Sequence, residues 1–283
     1  MKIGFIGVGV MGSSMVKNLL KKAYAVEIYA RHPEKVKEVV QAGATLIPSI
    51  ATLAAQNELI ITMVGFPKDV ESIYFDDDKI LNHAKAGTIM IDMTTSSPSL
   101  AQKIAQAAKT KGLYSLDCPV TGGDIGAKEG TLTIFGGGDE AVFKQVRPIL
   151  EAMGKTIVYV GQAGMGQHAK LANQIGVAGA MAAVAEMMAY GRAKGLNLEQ
   201  LIPIWNTGSA ASTQLKVSAP RALANNFQPG FYIKHFIKDM KLAISETENL
   251  DLKMLHTVLK MYEKLASEGC EDLGTQALVK FYE

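Results

Sequence analysis

A lysine and two amides stand one helical turn apart in the stretch GMGQHAKLANQ, residues 164–174, which leads into one of the most apolar segments of the chain. Lys170, Asn173 and Gln174 would share one face of a helix, because residues three and four positions apart are neighbours there. An unpaired buried ammonium is costly, so a lysine at this place suggests a use. It could give a proton to the alkoxide that forms when a hydride reduces an aldehyde. The alternative is a surface lysine whose stem covers apolar neighbours.

A hydroxyl and two glycines form a second candidate group. Thr121, Gly122 and Gly123 follow one another in the sequence TGGD. Glycine lets backbone N–H donors approach a ligand closely, so this turn could anchor the carboxylate of a small acid. The alternative is an ordinary turn hydroxyl, since Thr-Gly-Gly occurs in many loops. On the residues alone, Lys238 and Asp239 are more simply a solvated charge pair on a helix.

The N-terminal stretch GFIGVGVMG has the G-x-G-x-x-G spacing of a dinucleotide-binding turn. Gly7, Gly9 and Gly12 stand directly after a predicted strand and at the start of a predicted helix. The first glycine permits the tight turn, the second lets the backbone approach a pyrophosphate, and the third lets the helix pack on the strand. Backbone donors at the helix start, at Val10 and Met11, would face the same anion. A chance glycine-rich turn is the alternative.

The end of the second predicted strand, VEIYARHPEK, is where an acid would hold the ribose hydroxyls of NAD. Ala30, Arg31 and His32 stand there instead, and Glu27 lies too early, inside the strand. An arginine at this strand end can bind a 2′-phosphate through two hydrogen bonds, so the sequence favours NADP over NAD. The alternative is an exposed arginine that binds no ligand.

The elements that must position these residues alternate, in the first half of the chain, between short β-branched runs and helical patterns. This alternation predicts a doubly wound sheet of parallel βαβ units with helices on both faces. The predicted strands are KIGFI, VEIYA, LIITMV, TIMIDM, LYSLDC, TLTIF and TIVYV, and crossover helices are predicted at 33–42 and 98–111. From about residue 165 the pattern is helical throughout. We therefore expect an α/β Rossmann-type domain at 1–162 and an all-helical substrate and oligomerisation domain at 163–283.

A long helix should join the two predicted domains, because no strong breaker interrupts the pattern between Gly166 and Gly195. At 1.5 Å per residue it would be about 45 Å long. Its middle, GVAGAMAAVAEMMAYG, is rich in small residues that allow close helix packing. That packing is either a subunit contact, in a homodimer or homotetramer, or simply the core of the domain.

Composition bounds the remaining function classes. The 283 residues carry 29 basic and 27 acidic side chains, and this balance argues against nucleic-acid binding. Cys118 and Cys270 are too few for a disulfide scaffold or a zinc site, and the five histidines lack metal-ligand spacing, so no metal is expected. The start of the chain lacks the pattern of a signal peptide, and the longest apolar run, 175–185, is too short for a membrane span. We expect a cytoplasmic protein that acts on small molecules.

Taken together, the motifs resemble those of one known family. GFIGVGVMG, IDMTTSSP, DCPVTGGDIGAKEGTLTIFGGG, GMGQHAKLANQ and FIKDMKLA occur in this order over essentially the whole chain. They resemble the β-hydroxyacid dehydrogenases, which include 3-hydroxyisobutyrate dehydrogenase and tartronate semialdehyde reductase. The resemblance implies a Rossmann domain, an all-helical domain and an active site in the cleft between them. It also implies NAD(P)-dependent interconversion of a short β-hydroxyacid and its semialdehyde.

The resemblance also implies roles for single residues. Lys170 is the implied catalytic lysine, and Asn173 is its neighbouring amide. The implied substrate-binding residues are Thr121, Gly122, Gly123, Asn173, Gln174 and Lys238. The implied cofactor-binding residues are Gly7, Gly9, Val10, Met11, Gly12, Arg31, His32, Met63, Val64, Thr94, Lys238 and Asp239.

The chain departs from the family pattern at several positions. Thr121 stands where many members have Ser, Gly65 where Pro is common, and Cys118 where Ala is common. Gln174 replaces the second Asn of many hydroxyisobutyrate enzymes, and the Asn-Gln pair is more similar to the tartronate semialdehyde reductases. The alternative function is a non-catalytic NADP(H) sensor or interaction module of the same fold. Lys170 favours the enzyme, because relatives that lose catalysis or reduce imines are expected to replace it.

Overall fold

The computed structural model describes residues 1–247 and 249–283. The chain divides into two compact units, Met1–Lys170 and Leu171–Glu283. The division therefore falls inside a helix, a little after the predicted boundary at residue 162.

The N-terminal unit is built on one sheet. Its strands are β1 Ile3–Ile6, β2 Val26–Tyr29, β3 Thr45–Leu46, β4 Leu59–Thr62, β5 Ile89–Asp92, β6 Tyr114–Asp117, β7 Val120–Thr121, β8 Leu132–Gly138 and β9 Gly154–Gly161. Their order in the sheet is β3-β2-β1-β4-β5-β6-β8-β7, and β9 pairs with β8. The seven predicted strands are present, whereas the two-residue strands β3 and β7 were not predicted.

The sequence predicted parallel strands, but the sheet is only partly parallel. Strands β1 to β6 pair in parallel, but β8 runs antiparallel to β6 and β7. The reason is the short connection from Thr121 to Leu132, which cannot make the crossover of a dozen or more residues that a parallel partner requires. The longer connection after β8 restores the parallel direction in β9.

Helices cover both faces of this sheet. They are α1 Val10–Lys21, α2 Lys37–Gln41, α3 Ile50–Gln56, α4 Pro67–Phe75, α5 Ile80–His83, α6 Pro98–Thr110, α7 Gly123–Glu129 and α8 Glu140–Leu150. The predicted helix 33–42 is broken, because a 3₁₀ turn at Pro33–Lys35 is followed by Val36, which leaves helical geometry and buries its side chain. The other predicted crossover helix is present as α6.

Each central strand buries both of its sides. In β1, Phe5 belongs to one hydrophobic cluster and Ile6 to another. In β4, Ile61 and Ile60 are divided between the same two clusters. Successive side chains of a strand point to opposite faces, so the two clusters are the two helix-covered layers of a doubly wound sheet.

The described residues of the C-terminal unit form helices joined by turns and loops, with one isolated β-bridge between Tyr232 and Gly274. The helix α9, Met165–Ala193, begins in the N-terminal unit and continues into this one. It is followed by α10 Leu198–Trp205, a π-helical turn at Gln214–Ser218, α11 Ala219–Leu223, α12 Ile233–Ser245, α13 Lys253–Leu265, a second π-helical turn at Ala266–Cys270 and a 3₁₀ helix at Thr275–Tyr282.

The membrane prediction needs one correction. It considered only the uninterrupted apolar run 175–185, whereas an 18-residue window of α9 has a mean hydropathy of 1.2, which makes the helix long and apolar enough to span a membrane by length and composition alone. Its buried residues Ala178, Met181 and Met188 lie in the hydrophobic core of the C-terminal unit with Phe236. A core helix of this kind passes the same test without entering a membrane.

Candidate functional site

The glycine turn after β1 has the geometry that its spacing predicts. Gly7 has φ +99°, and a Cβ there would lie 2.1 Å from the carbonyl oxygen of Met63. A Cβ at Gly12 would lie 2.0 Å from the carbonyl oxygen of Gly7. A Cβ at Gly9 would meet nothing within 4 Å. Gly7 and Gly12 are thus required by packing, whereas Gly9 leaves space open above the turn.

The start of α1 is suited to an anion. Gly9 is its N-cap residue, no side chain caps it, and the first turn, all of it described, contains no acidic residue. The backbone N–H groups of Val10 and Met11 are among those that lack a partner within the helix. These donors and the positive end of the helix dipole meet the open space at Gly9. The turn therefore fits the pyrophosphate of a dinucleotide.

A pocket of about 330 Å³ lies beside this turn, lined in part by Gly7, Arg31, Asp69 and Lys79. The Arg31 side chain is 75% exposed, and its Nη1 lies 3.9 Å from Asp69 Oδ1. An exposed cation next to a pocket of this size can reach a charged ligand. His32 is not part of the lining, and its Nδ1 lies 3.4 Å from Glu34 Oε1.

Glu27 is buried inside β2, as its early position in the strand predicted. Its Oε2 accepts a hydrogen bond of 2.7 Å from Asn57 Nδ2, and its Oε1 pairs with the ammonium of Lys2. These partners hold the carboxylate in place, away from the end of the strand.

The carboxyl ends of β4 and β5 are joined by a small polar network. Asp92 Oδ1 accepts hydrogen bonds from the Thr62 hydroxyl at 2.8 Å and from the Thr94 N–H at 3.1 Å. The Thr94 hydroxyl in turn accepts from the Val64 N–H at 3.0 Å. Met63 touches Gly7, so the predicted cofactor residues Met63, Val64 and Thr94 lie at the edge of the sheet where doubly wound folds bind nucleotides.

Asp117, at the end of β6, holds the start of α9. Its two carboxylate oxygens accept hydrogen bonds from the N–H of Gly164 at 2.8 Å and of Gln167 at 2.9 Å. Burial raises the pKa of Asp117 to about 6, although these hydrogen bonds act in the opposite direction. The contact is tight, because a Cβ at Gly166 would lie 2.4 Å from the carbonyl oxygen of Asp117.

Gln167 makes a second connection between α9 and the sheet. Its side chain is fully buried, donates to the carbonyl oxygen of Thr94 at 2.8 Å and accepts from the N–H of Ser96 at 2.8 Å. Lys170 follows one turn later and is only 6% exposed. The surface-lysine alternative is therefore wrong for Lys170. Sequence reasoning missed Gln167, although a glutamine in an apolar helix was a visible signal.

The Thr121 turn has a backbone that requires glycine. Thr121 ends β7 opposite Thr133, and the two following glycines have φ values of +129° at Gly122 and +65° at Gly123. Side chains other than hydrogen are strained at these angles. A Cβ at Gly123 would meet nothing within 4 Å, so the backbone there is open to a ligand.

A buried polar cluster lies within the C-terminal unit. Gln174 Nε2 donates to Asp239 Oδ2 at 2.7 Å, and Lys238 Nζ lies 2.9 Å from Asp239 Oδ1. Asn173 Nδ2 donates to Gln174 Oε1 at 2.9 Å. Because Asp239 is 1% exposed, the solvated-pair alternative for Lys238 and Asp239 is wrong. The structure thus brings together four of the predicted residues.

Comparisons with known proteins agree with this architecture. Residues 2–161 match the family model described as the NAD binding domain of 6-phosphogluconate dehydrogenase. Residues 164–282 match the model described as NAD-binding of NADP-dependent 3-hydroxyisobutyrate dehydrogenase. The 2-hydroxy-3-oxopropionate reductase of Escherichia coli is 34% identical over 100% of this chain and 97% of its own length. The chain belongs to the β-hydroxyacid dehydrogenase family.

Two further relatives span nearly the full length of this chain. The uncharacterized oxidoreductase YkwC of Bacillus subtilis is 48% identical and covers 99% of this chain and 98% of its own. The solved structure of Mycobacterium tuberculosis 3-hydroxyisobutyrate dehydrogenase with L-serine is 28% identical, with a TM-score of 0.87 and coverage of 99% of this chain and 98% of that one. Family membership supports NAD(P)-dependent hydroxyacid dehydrogenase activity.

Several polar residues at these sites were not predicted. They are Asp69, Lys79, Asp92, Asp117 and Gln167. Asp92 and Asp117 each stand one residue before the end of a predicted strand, TIMIDM and LYSLDC, and at the last position of the observed strands β5 and β6. This end of the sheet is where ligands bind in doubly wound folds, so that position was the available signal.

Proposed function

We propose that this protein is an NADP-preferring oxidoreductase that interconverts a short β-hydroxyacid and its semialdehyde, of the 3-hydroxyisobutyrate or the tartronate semialdehyde and glycerate type. Lys170 is the proton donor in reduction and the proton acceptor in oxidation. The observation that carries the proposal is the burial of this lysine, at 6% exposure, one turn after the hydrogen-bonded Gln167. A buried ammonium suits proton transfer better than a mobile surface lysine.

The residues of the chain divide the chemical work. NADPH, when bound at the glycine turn, supplies the hydride. The ammonium of Lys170 gives its proton to the oxygen of the aldehyde as that oxygen becomes a hydroxyl group, so charge and atoms balance. The Thr121 hydroxyl and the N–H groups of Gly122 and Gly123 hold the substrate carboxylate. Asn173 orients the lysine or the substrate from the next turn of α9.

The preference for NADP depends on Arg31. Its exposed guanidinium, at the end of β2 beside the pocket, can bind a 2′-phosphate through paired hydrogen bonds. Arg31→Asp should weaken NADPH binding far more than NADH binding, because a carboxylate then faces the phosphate. Arg147→Asp, which makes the same charge change at an exposed arginine of α8, is the control. Equal affinity of the unmodified protein for both cofactors contradicts this part of the proposal.

The catalytic role is tested with a panel of tartronate, methylmalonate and succinate semialdehydes and NADPH. L-serine, 3-hydroxyisobutyrate and glycerate serve as substrates in the oxidative direction. Lys170→Met should lower turnover by about 10²–10⁴-fold, the range for a lost general acid or base. NADPH affinity and the melting temperature should change little. Asn173→Ala should lose less, because it transfers no proton.

The control for Lys170→Met is Lys155→Met, which removes an exposed lysine from β9. If Lys170→Met keeps more than about a tenth of the turnover while the chemical step limits the rate, Lys170 is not the proton donor and Lys238 is the next residue to test. If the unmodified protein binds NADPH tightly and turns over no substrate of the panel, the non-catalytic sensor becomes the better interpretation.

A further inference from the structure

The start of α9 is capped differently from the starts of four other helices. Four helices, α3, α6, α8 and α10, are capped by their own N-cap side chains, Ser49, Ser97, Asp139 and Asn197. For α9 the capping carboxylate comes from β6, because Asp117 accepts the N–H groups of Gly164 and Gln167. The first turn of α9 is therefore held by the sheet and not by its own sequence.

Gln167 adds a connection of a different kind. Its amide donates to the carbonyl oxygen of Thr94 and accepts from the N–H of Ser96, each at 2.8 Å, so both ends of the amide are used. A fully buried amide with two backbone partners cannot rotate without leaving polar groups unsatisfied. The position of the first turn of α9 is thus fixed relative to the backbone segment that follows β5.

The same backbone segment is tied to the predicted cofactor loop. The Thr94 hydroxyl accepts the N–H of Val64 at 3.0 Å, and the Thr94 N–H donates to Asp92. A continuous set of hydrogen bonds therefore leads from the loop after β4, through Thr94, to Gln167. Lys170 stands three residues after Gln167 in the same helix, which places it one turn further along.

We infer that Gln167 is a positioning residue, which couples the backbone at Val64 and Thr94 to the first turn of α9 and so fixes the placement of Lys170. It touches neither substrate nor cofactor in this role. The inference rests on the proposed function, because it takes Lys170 as the proton donor. Its consequence is that loss of the Gln167 amide should misplace the lysine without removing it.

The first experiment measures single-turnover hydride transfer in Gln167→Met. Methionine has a similar length and removes both hydrogen bonds. The rate should fall by about 10–100-fold, since a displacement of about 1 Å in a catalytic group can have an effect of this size. KM for the semialdehyde and the affinity for NADPH should change by less than about threefold, because both ends of the Gln167 amide are bonded to the backbone of Thr94 and Ser96.

The matched control is Gln276→Met in the C-terminal unit. Gln276 is also buried, and its Nε2 donates to two carbonyl oxygens, of Asn226 at 2.9 Å and of Gln228 at 3.0 Å. The two substitutions therefore remove the same kind of side chain and the same number of hydrogen bonds. Both should lower the melting temperature, but only Gln167→Met should slow hydride transfer. Equal slowing in the two variants overturns the inference.

The second experiment needs no turnover, and its first measurement uses the unmodified protein. In the unmodified protein, NADPH should slow amide hydrogen exchange in residues 164–170 by at least about threefold, because ordering of the loops at Val64 and Thr94 is passed on to α9. This protection should be lost in Gln167→Met and kept in Gln276→Met. If Gln167→Met does not fold, exchange in the unmodified protein still decides the matter.

The outcomes separate the two proposals. If the unmodified protein turns over no semialdehyde, the proposed function fails while the exchange experiment still tests the coupling. A hydride-transfer rate of Gln167→Met within about twofold of the unmodified rate overturns the inference and leaves the proposed function standing. Absence of NADPH-dependent protection at residues 164–170 also overturns it.

Discussion

Replacement of Asp117 by Asn should change the stability of the protein in a pH-dependent way. The carboxylate is buried, and its folded-state pKa is raised from 3.8 to about 6. The folded protein therefore binds this proton more tightly than the unfolded chain does. The resulting stabilisation is complete below about pH 3.8 and is lost as the pH rises through about 6. The asparagine variant has no such proton.

The size of the effect follows from these values. At pH 5, one unit below the folded-state pKa, the proton on Asp117 stabilises the fold by about 1.4 kcal/mol, and at pH 8 by almost nothing. A second, pH-independent cost of about 1–3 kcal/mol arises because Asn has one acceptor oxygen for the two N–H groups of Gly164 and Gln167. The stability advantage of the unmodified protein over Asp117→Asn should therefore be about 1.4 kcal/mol larger at pH 5 than at pH 8.

The assay is urea unfolding at the two pH values, followed by circular dichroism. Asp139→Asn is the control, because Asp139 accepts the N–H groups of Ala141 and Val142 at the exposed start of α8, where its carboxylate stays in water. A carbon-13 titration of the Asp117 carboxyl should have its midpoint near 6. If the difference between the unmodified protein and Asp117→Asn is the same at pH 5 and pH 8, the reasoning from burial is wrong.

Two further predictions concern the glycine turn and assembly. Gly9→Ala should keep the melting temperature but weaken NADPH binding, because its Cβ enters space that is open above the turn, whereas Gly12→Ala should unfold at lower temperature, because its Cβ would lie 2.0 Å from the carbonyl oxygen of Gly7. Thermal unfolding and NADPH titration of both variants test this prediction. It is wrong if Gly9→Ala lowers the melting temperature and Gly12→Ala does not. At micromolar concentration the protein should sediment as a dimer or larger, and Ala183→Leu should weaken that assembly if the exposed small residues of α9 form the contact. A monodisperse monomer contradicts this prediction.

Features that depend on neighbouring residues were predictable from the sequence. The G-x-G-x-x-G turn is one, because a Cβ at Gly12 would meet only local neighbours, the carbonyl oxygen of Gly7 and the ring of Phe5 in the strand before it. The seven longer strands and α9 are others, since their periodicity extends over many residues. Strands β3 and β7, with two residues each, are too short to have a period, and their existence depends on β2 and β8.

Features that depend on partners far along the chain were not predictable. Asp117 and Gln167 are 50 residues apart, and no pattern in either segment indicates that they pair. The same holds for Lys238 and Asp239, because the local sequence of α12 suggests a pair exposed to solvent. In the structure Asp239 is buried and accepts a hydrogen bond from Gln174, which lies 65 residues earlier in the chain. Local sequence identified the residue types at the site, while the tertiary fold decided which of them are buried.

The buried lysine in an apolar helix now has a physical explanation. Gln167, Lys170 and Gln174 are spaced by three and four residues, so they follow one face of α9 over two turns. Each glutamine is anchored within its own unit, Gln167 to the backbone after β5 and Gln174 to Asp239. Both amides are thereby held in one orientation, and the lysine lies between them on the same helix face. An apolar residue at either glutamine position should therefore disturb the placement of the Lys170 side chain more than it lowers the stability of the fold.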